Sequence, residues 1–297
     1  MSKISLKNYF NDLSVLAGAV MISFSAVFVK LAHVGPTVSA FYRMAIGGVI
    51  LMAFALVTGK TSRFPFKALG LMTLTAFFFV WDLTIWHRSI FYVGPGLATI
   101  LANFQVFFLA GIGFFLYRER LNLRYVISVP LALIGLGLLI LPHNMVVPQP
   151  QFYLGVGLGL ITALAYTAYL LSLRTLQARY TKISAFFVIA VISILTAIGI
   201  GLEMFAGGES FAIPDRQTLL ALIAYGIMGQ FLGWVLISKG IGKIEASRAG
   251  LILLLQPTLS FVWDILFFSR PTGITDLAGA SVAIFAIYLG ATSRGIR

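Results

Sequence analysis

The sequence predicts an all-α membrane protein: ten transmembrane helices forming two inverted five-helix repeats, with both termini in the cytoplasm. Three observations carry this. Hydrophobic residues make up 60% of the 297 and charged residues only 10%, against about a quarter charged in a soluble domain, and the mean hydropathy is +0.99. Apolar stretches recur along the whole chain, each long enough to cross a bilayer, which takes roughly 20 residues. The two halves also carry matching segments, offset by 145 residues in one case and 151 in two others.

The stretches fall at about residues 13–33, 37–58, 67–91, 95–117, 123–141, 153–175, 184–206, 217–239, 247–268 and 275–293. Short connectors rich in Gly, Pro or charge separate them: Gly35-Pro36, Gly59 to Pro65, Gly94-Pro95, Pro142 to Pro150, Gly207 to Asp215 and Arg270-Pro271. The polar N-terminus, with Lys3 and Lys7, is followed by no small-residue cleavage site, so the first stretch reads as a retained helix and not a signal peptide.

Charge sets the orientation. A cytoplasmic N-terminus puts Lys3, Lys7, Lys60, Arg63, Lys67, Arg118, Arg120, Arg124, Arg174, Arg179, Lys182, Lys239, Lys243, Arg248, Arg294 and Arg297 inside. That leaves Arg88, Arg216 and Arg270 at outer ends and Lys30 and Arg43 within helices, accounting for all 21 Lys and Arg. The bias follows the positive-inside rule. The net charge of +12 is therefore a topology signal and does not point to nucleic acid.

Ser39-Ala-Phe-Tyr-Arg-Met-Ala45 aligns with Ser184-Ala-Phe-Phe-Val-Ile-Ala190, His87-Arg-Ser-Ile90 with Ser238-Lys-Gly-Ile241, and Gln105 with Gln256. Repeats of five helices must enter the membrane in opposite senses. The expected domains are residues 1–146 (helices one to five) and 147–297 (helices six to ten). Inverted repeats with a site near the midplane are an architecture of secondary transporters.

Within the apolar run Phe77 to Arg88, Asp82 is the residue to explain, because a charge at that depth costs several kcal/mol unless paired or wetted. Asp82 aligns with Gly233 and Arg43 with Val188, so both charges belong to one repeat only and are candidate substrate contacts. Helical spacing groups Asp82 with Trp86 and Ser89, Gln230 with Trp234 and Ser238, Gln256 with Ser260 and Asp264, and Tyr166 with Tyr169 in helix six. Of Asn103 and Gln105, nearly opposite in azimuth, Gln105 is favoured by its match to Gln256. Lys30 and His87 are candidates for coupling or ion pairing, and Pro257 for a hinge. The competing reading makes Arg43–Asp82 and Lys30–Asp264 buried structural ion pairs, and His87 an interfacial anchor.

Ala98 to Leu121, ending Phe-Leu-Tyr-Arg-Glu119-Arg-Leu, the Gly-rich run Ile134 to Ile140, and Leu255-Gln-Pro257 together resemble the EamA repeats of the drug/metabolite transporter superfamily. One departure is that Arg270 stands where the second repeat would match Glu119. The resemblance implies helices one to four and six to nine around a central cavity, with five and ten peripheral. The sequence of those two agrees, being poor in polar residues and rich in Gly and Ala.

The expected function is secondary transport of small polar or amphiphilic metabolites, the resemblance implying amino acids and export, by alternating access in a bacterial inner membrane. Arg43 and Asp82 would meet opposite charges of the solute, Gln105, Gln230 and Gln256 its polar edges, and Trp86, Tyr166, Tyr169 and Trp234 its apolar body. The alternative is efflux of lipophilic organic cations, drawn by Asp82 and Asp264. No His-Glu-x-x-His, Gly-x-Ser-x-Gly or phosphate loop is present, which disfavours an intramembrane enzyme, and nothing resembles a channel filter. With zero Cys and three scattered His (His33, His87, His143), neither metal nor cofactor is expected. The expected partners are a small-molecule solute and membrane lipids, and oligomeric state is not encoded legibly.

Overall fold

The computed structural model describes residues 3–60, 65–140, 150–269 and 272–292, and all regular structure among them is helical. The 146/147 repeat boundary, the connector from Pro142 up to Pro150 and Arg63, His143, Arg270, Arg294 and Arg297 lie outside these residues.

The helices are α1 (Lys3–Ser23), α2 (Ser25–Leu31), α3 (Pro36–Val57), α4 (Phe66–Asn103), α5 (Gln105–Phe115), α6 (Leu123–Ile140), α7 (Pro150–Arg179), α8 (Ala185–Gly207) and α9 (Arg216–Tyr225). A π-helical segment, Gly226–Trp234, follows, then α10 (Val235–Ile241), α11 (Ala246–Leu253), α12 (Leu255–Phe268) and α13 (Ile274–Thr292). Among the described residues eight helices are long and apolar enough to cross a membrane, and two shorter apolar ones, Leu123–Leu138 and Ile274–Gly290, coincide with the fifth and tenth expected stretches.

One boundary differs from expectation. α4 runs through Gly94-Pro95, and the chain breaks instead at Phe104. A single proline removes one intrahelical hydrogen bond, and the apolar residues on both sides sustain the helix. At Phe104 and at Leu254 the chain tightens into an i→i−3 bond, Phe104 N–H to Leu101 O (3.0 Å) and Leu254 N–H to Leu251 O (3.2 Å). These breaks occupy matching places in the two repeats, and the second lies just ahead of Pro257.

The described chain forms two compact units that do not coincide with the sequence halves. The first combines Met1–Thr84 with Ala168–Ile244, and the second Ile85–Thr167 with Glu245–Arg297. Each unit pairs helices from both halves. In the first, α3 packs on α8 and α1 on α10. Gly18 makes the latter approach possible, since a Cβ there would sit 2.6 Å from Gly233 O and 2.9 Å from Ile237 N. In the second, α6 packs on α13 and α5 on α11. A Cβ on Gly135 would lie 2.7 Å from Gly279 O and 2.5 Å from Ala283 N, the close backbone approach that small residues permit where no hydrophobic effect drives helices together.

The second unit's core gathers Ile100, Val106, Val129, Leu136, Leu251 and Phe261 among others. α6 and α13 are less apolar inside than expected. Ser128 and Asp276 are both buried, because Ser128 bonds back to Tyr125 O within its own helix (2.7 Å) and Asp276 accepts from Gly273 N–H at the start of α13 (2.7 Å). Local backbone partners let such groups enter a core without long-range bonds.

Candidate functional site

The first unit contains a buried polar chain built on four helices. Arg43, on the inward face of α3, is only 6% exposed. Its Nε–H donates to Gln230 Oε1 (3.2 Å) and Nη1 donates to Tyr225 OH (3.2 Å), with the guanidinium 5.0 Å from the Tyr225 ring centre. Gln230 Nε2 donates in turn to Ser193 Oγ on α8 (2.7 Å), and Ser193 donates to Ile189 O (2.6 Å). Hydrogen bonds to a charged group contribute about 1.5–3 kcal/mol each, so Gln230 and Tyr225 hold the cation in place. The rest of the guanidinium fork has no hydrogen bond among the described residues.

The π-helical segment explains why these groups converge. Its i→i+5 register brings Tyr225 and Gln230 to one side of the helix, where an α-helix would set them roughly 140° apart. Three glycines, Gly226, Gly229 and Gly233, let the wide segment press close. A Cβ at Gly226 would sit 3.1 Å from Gly47 N. Gly47 has no room for a Cβ either, which would collide with Gln230 Cβ.

Asp82 lies on α4 in the same unit, 9% exposed. Arg43 attracts it by Coulomb force without touching it, and among the described residues Asp82 has neither an ion pair nor a hydrogen bond. The Arg43–Asp82 contact of the competing reading is therefore not formed among the described residues. Gln230 and Tyr225 occupy the cation instead.

Phe79, one turn before Asp82 on α4, stacks on Tyr169 of α7 at 4.2 Å between centres. Trp234 closes the group edge-on, 5.6 Å from Phe79 and 4.9 Å from Tyr169. All three rings are buried, and the Trp234 indole N–H has no hydrogen-bond partner among the described residues. In the same unit Thr84 Oγ1 donates to Glu203 on α8.

The remaining predicted residues fall elsewhere. Lys30, in the last turn of α2, is exposed, where a cation suits the negative end of the helix dipole. In the second unit Trp86 packs on Val93, Ala98 and Leu101, and His87 and Tyr166 are half-buried. Gln105 is fully buried and donates to Gly250 O on α11 (3.3 Å). Gln256, half-buried beside Pro257, has an enclosed amide nitrogen with no partner among the described residues. Asp264 is half-buried on α12. Both matched glutamines, Gln105 and Gln256, thus lie in the second unit. No group of three or more His, Cys, Asp or Glu is placed to hold a metal among the described residues.

Two stretches of the chain, residues 10–141 and 153–292, each match the EamA-like transporter family. The chain belongs to that family. Two relatives from Archaeoglobus fulgidus, each described as an uncharacterized transporter, are similar over almost their full length. One is 22% identical over 277 residues, covering 90% of this chain and 93% of the relative. The other is 21% identical over 283 residues, covering 94% and 96%. A protein of known crystal structure shares the fold with a TM-score of 0.82 at 17% identity, covering 95% of this chain and 98% of the other. The chain is therefore a multi-pass membrane transporter.

Glu119, the residue on which the resemblance to EamA rested, has a structural task in the second unit. Its carboxylate accepts from the backbone N–H of Ala246 (2.7 Å) and Ser247 (3.2 Å) and from Ser247 Oγ (2.6 Å). It caps the N-terminus of α11, where an anion meets both unsatisfied donors and the positive helix end. Gly113 leaves it room, since a Cβ there would collide with the carboxylate.

Proposed function

We propose that this EamA chain is a secondary carrier that exports a small polar or amphiphilic metabolite of the amino-acid type, recognised in the first unit. The observation that supports this is a pair of opposite charges, both enclosed and neither neutralised by the other. Among the described residues Arg43 is held from one side by Gln230 and Tyr225 with the rest of its fork unused, and Asp82 has no hydrogen bond or ion pair. A structural pair would make contact, since a charge inside a membrane protein is tolerated at lowest cost when paired. A solute carrying both an anionic and a cationic group would satisfy both. Phe79, Tyr169 and Trp234 would then take its apolar body, with aromatic contacts contributing about 0.5–2 kcal/mol to a bound cation.

The spans are ten, with both termini cytoplasmic, in a cytoplasmic membrane, and transport runs outward. Alternating access proceeds by rocking of the two inverted repeats, and the paired breaks at Phe104 and Leu254 serve as bends, with Pro257 keeping the second from closing into a regular helix. Gln105, Gln256, Tyr166, Trp86 and Asp264 line the solute's path in the second unit, and Lys30 and His87 act on coupling.

The test is a thermal-shift screen of purified protein against amino acids, organic acids, purines and quaternary amines, repeated with Arg43→Gln and Asp82→Asn. A zwitterion that stabilises the wild type and neither variant supports the reading, because a ligand that binds only the folded state raises apparent stability. Undiminished shifts in both folded variants overturn it. A second reading, efflux of lipophilic cations, is favoured by the unpartnered Asp82 beside an aromatic cluster. It predicts that quaternary amines still stabilise Arg43→Gln and fail on Asp82→Asn.

A further inference from the structure

A second cluster of charge lies in the first unit, at the end where α3 and α10 finish and α8 begins, and the carrier reading does not use it. Gly59 adopts a left-handed conformation (φ 63°) after α3, and Lys60 N–H bonds back to Ala55 O (2.8 Å). This helix-ending turn folds Lys60 over the helix it terminates. Its ammonium sits 5.1 Å from the Phe54 ring centre and 4.7 Å from that of Phe186. Lys239 approaches Phe186 as well, at 4.8 Å. Phe54, Phe186 and Phe231 form one aromatic group, with centres 4.7 to 6.0 Å apart.

Lys239 is close enough to both Lys60 and Lys243 to be repelled by them. All three lysines are exposed, and none has a carboxylate partner among the described residues. Helix ends do not neutralise them. α3 and α10 each present roughly half a negative charge and α8 half a positive one, a small sum against three cations. The positive-inside bias accounts for lysines on this side of the membrane but not for two ammonium groups gathered on one ring. Flexible lysines with no common anion would splay apart.

We infer that Lys60, Lys239 and Lys243, set around Phe54, Phe186 and Phe231, form a binding site for the phosphate of an anionic phospholipid headgroup. The lysines stand at helix ends, at headgroup level, and the aromatic group beneath them meets the start of the acyl region. Each lysine near a membrane surface strengthens attraction to anionic lipid about fivefold. An inorganic phosphate would present the same oxygens without the acyl chains, so the source has to be separated by experiment.

The experiment follows thermal unfolding of the full chain in phosphatidylcholine nanodiscs, with and without phosphatidylglycerol. The wild type should be stabilised by phosphatidylglycerol. Lys60→Gln, Lys239→Gln and Lys243→Gln should each weaken its apparent affinity about fivefold, and the triple Gln variant roughly a hundredfold. The triple Arg variant, which keeps all three charges, should respond as wild type. An equal response in the Gln variants, or none in the wild type, overturns the site. Should the triple Gln variant not fold, the three single variants decide by the same criterion. Millimolar inorganic phosphate added to phosphatidylcholine discs forms the other arm. If it alone reproduces the stabilisation in wild type and not in the variants, the lysines take a soluble anion and the lipid assignment fails.

Discussion

Gln230 shows how one side chain can set the properties of a charged neighbour. Its carbonyl oxygen orients Arg43 and its amide nitrogen is anchored on Ser193, so the cation's direction is fixed through two residues on other helices. Gln230→Leu leaves a charged N–H enclosed without its acceptor, and should destabilise the protein by about 2–3 kcal/mol. Ser193→Ala removes only the anchor of a neutral amide and should cost about 1 kcal/mol. Reversible unfolding in mixed micelles measures both. In a double-mutant cycle, Gln230→Leu and Arg43→Met should couple by at least about 1 kcal/mol, and additivity to within about 0.5 kcal/mol would show that the bond contributes nothing. Gln230 was legible in the sequence by its four-residue spacing to Trp234. Tyr225 was not, because a 3.6-residue period puts it on another face and only the π register brings it round to Arg43.

Helix ends and breaks, more than helix bodies, carry what the apolar pattern could not show. Stretch positions follow from hydropathy, since a bilayer demands long apolar runs with internally satisfied backbones. Whether a Gly-Pro interrupts a helix depends on the packing around it, so α4 continues through Gly94-Pro95 and breaks at Phe104, inside the candidate span Ala98–Phe115. Glu119 was legible as a family mark, but its partners Ala246 and Ser247 lie more than a hundred residues away and no local pattern names them. Asp215 caps α9 in a similar manner and can be tested by pH. Thr218 backbone N–H donates to it (2.8 Å) and His33 Nδ1 lies 2.7 Å away. These bonds, the backbone one first, hold its carboxyl below the usual carboxylate range. A depressed folded-state pKa stabilises the protein above the unfolded value, near 3.9, and that contribution is lost as pH falls through the folded value. The wild type should therefore melt higher than Asp215→Ala at neutral pH, and the gap should close below about pH 4. A gap independent of pH would remove the carboxylate from the account.

At the scale of the whole molecule, sequence order and compactness divide the chain differently. Two EamA matches follow one another along the chain, yet each compact unit takes helices from both, because α3 seeks α8, and α6 seeks α13, across more than a hundred residues. Pairing of this kind depends on small residues such as Gly18 and Gly135 whose partners are set only when the chain has folded. Orientation, by contrast, rests on charge counted along the sequence and can be checked directly. The chain contains no Cys, so a single introduced thiol reports on its own position. Lys182 and Glu209 are both exposed and flank α8, whose 23 residues extend about 35 Å, enough to cross the hydrocarbon core of about 30 Å. With a cytoplasmic N-terminus α8 runs from inside to outside. In intact cells a membrane-impermeant maleimide should then label Glu209→Cys, and should reach Lys182→Cys only after permeabilisation. The reverse pattern would put both termini outside, against the basic residues of the connectors; labelling of both from one side would mean that α8 does not cross the membrane at all.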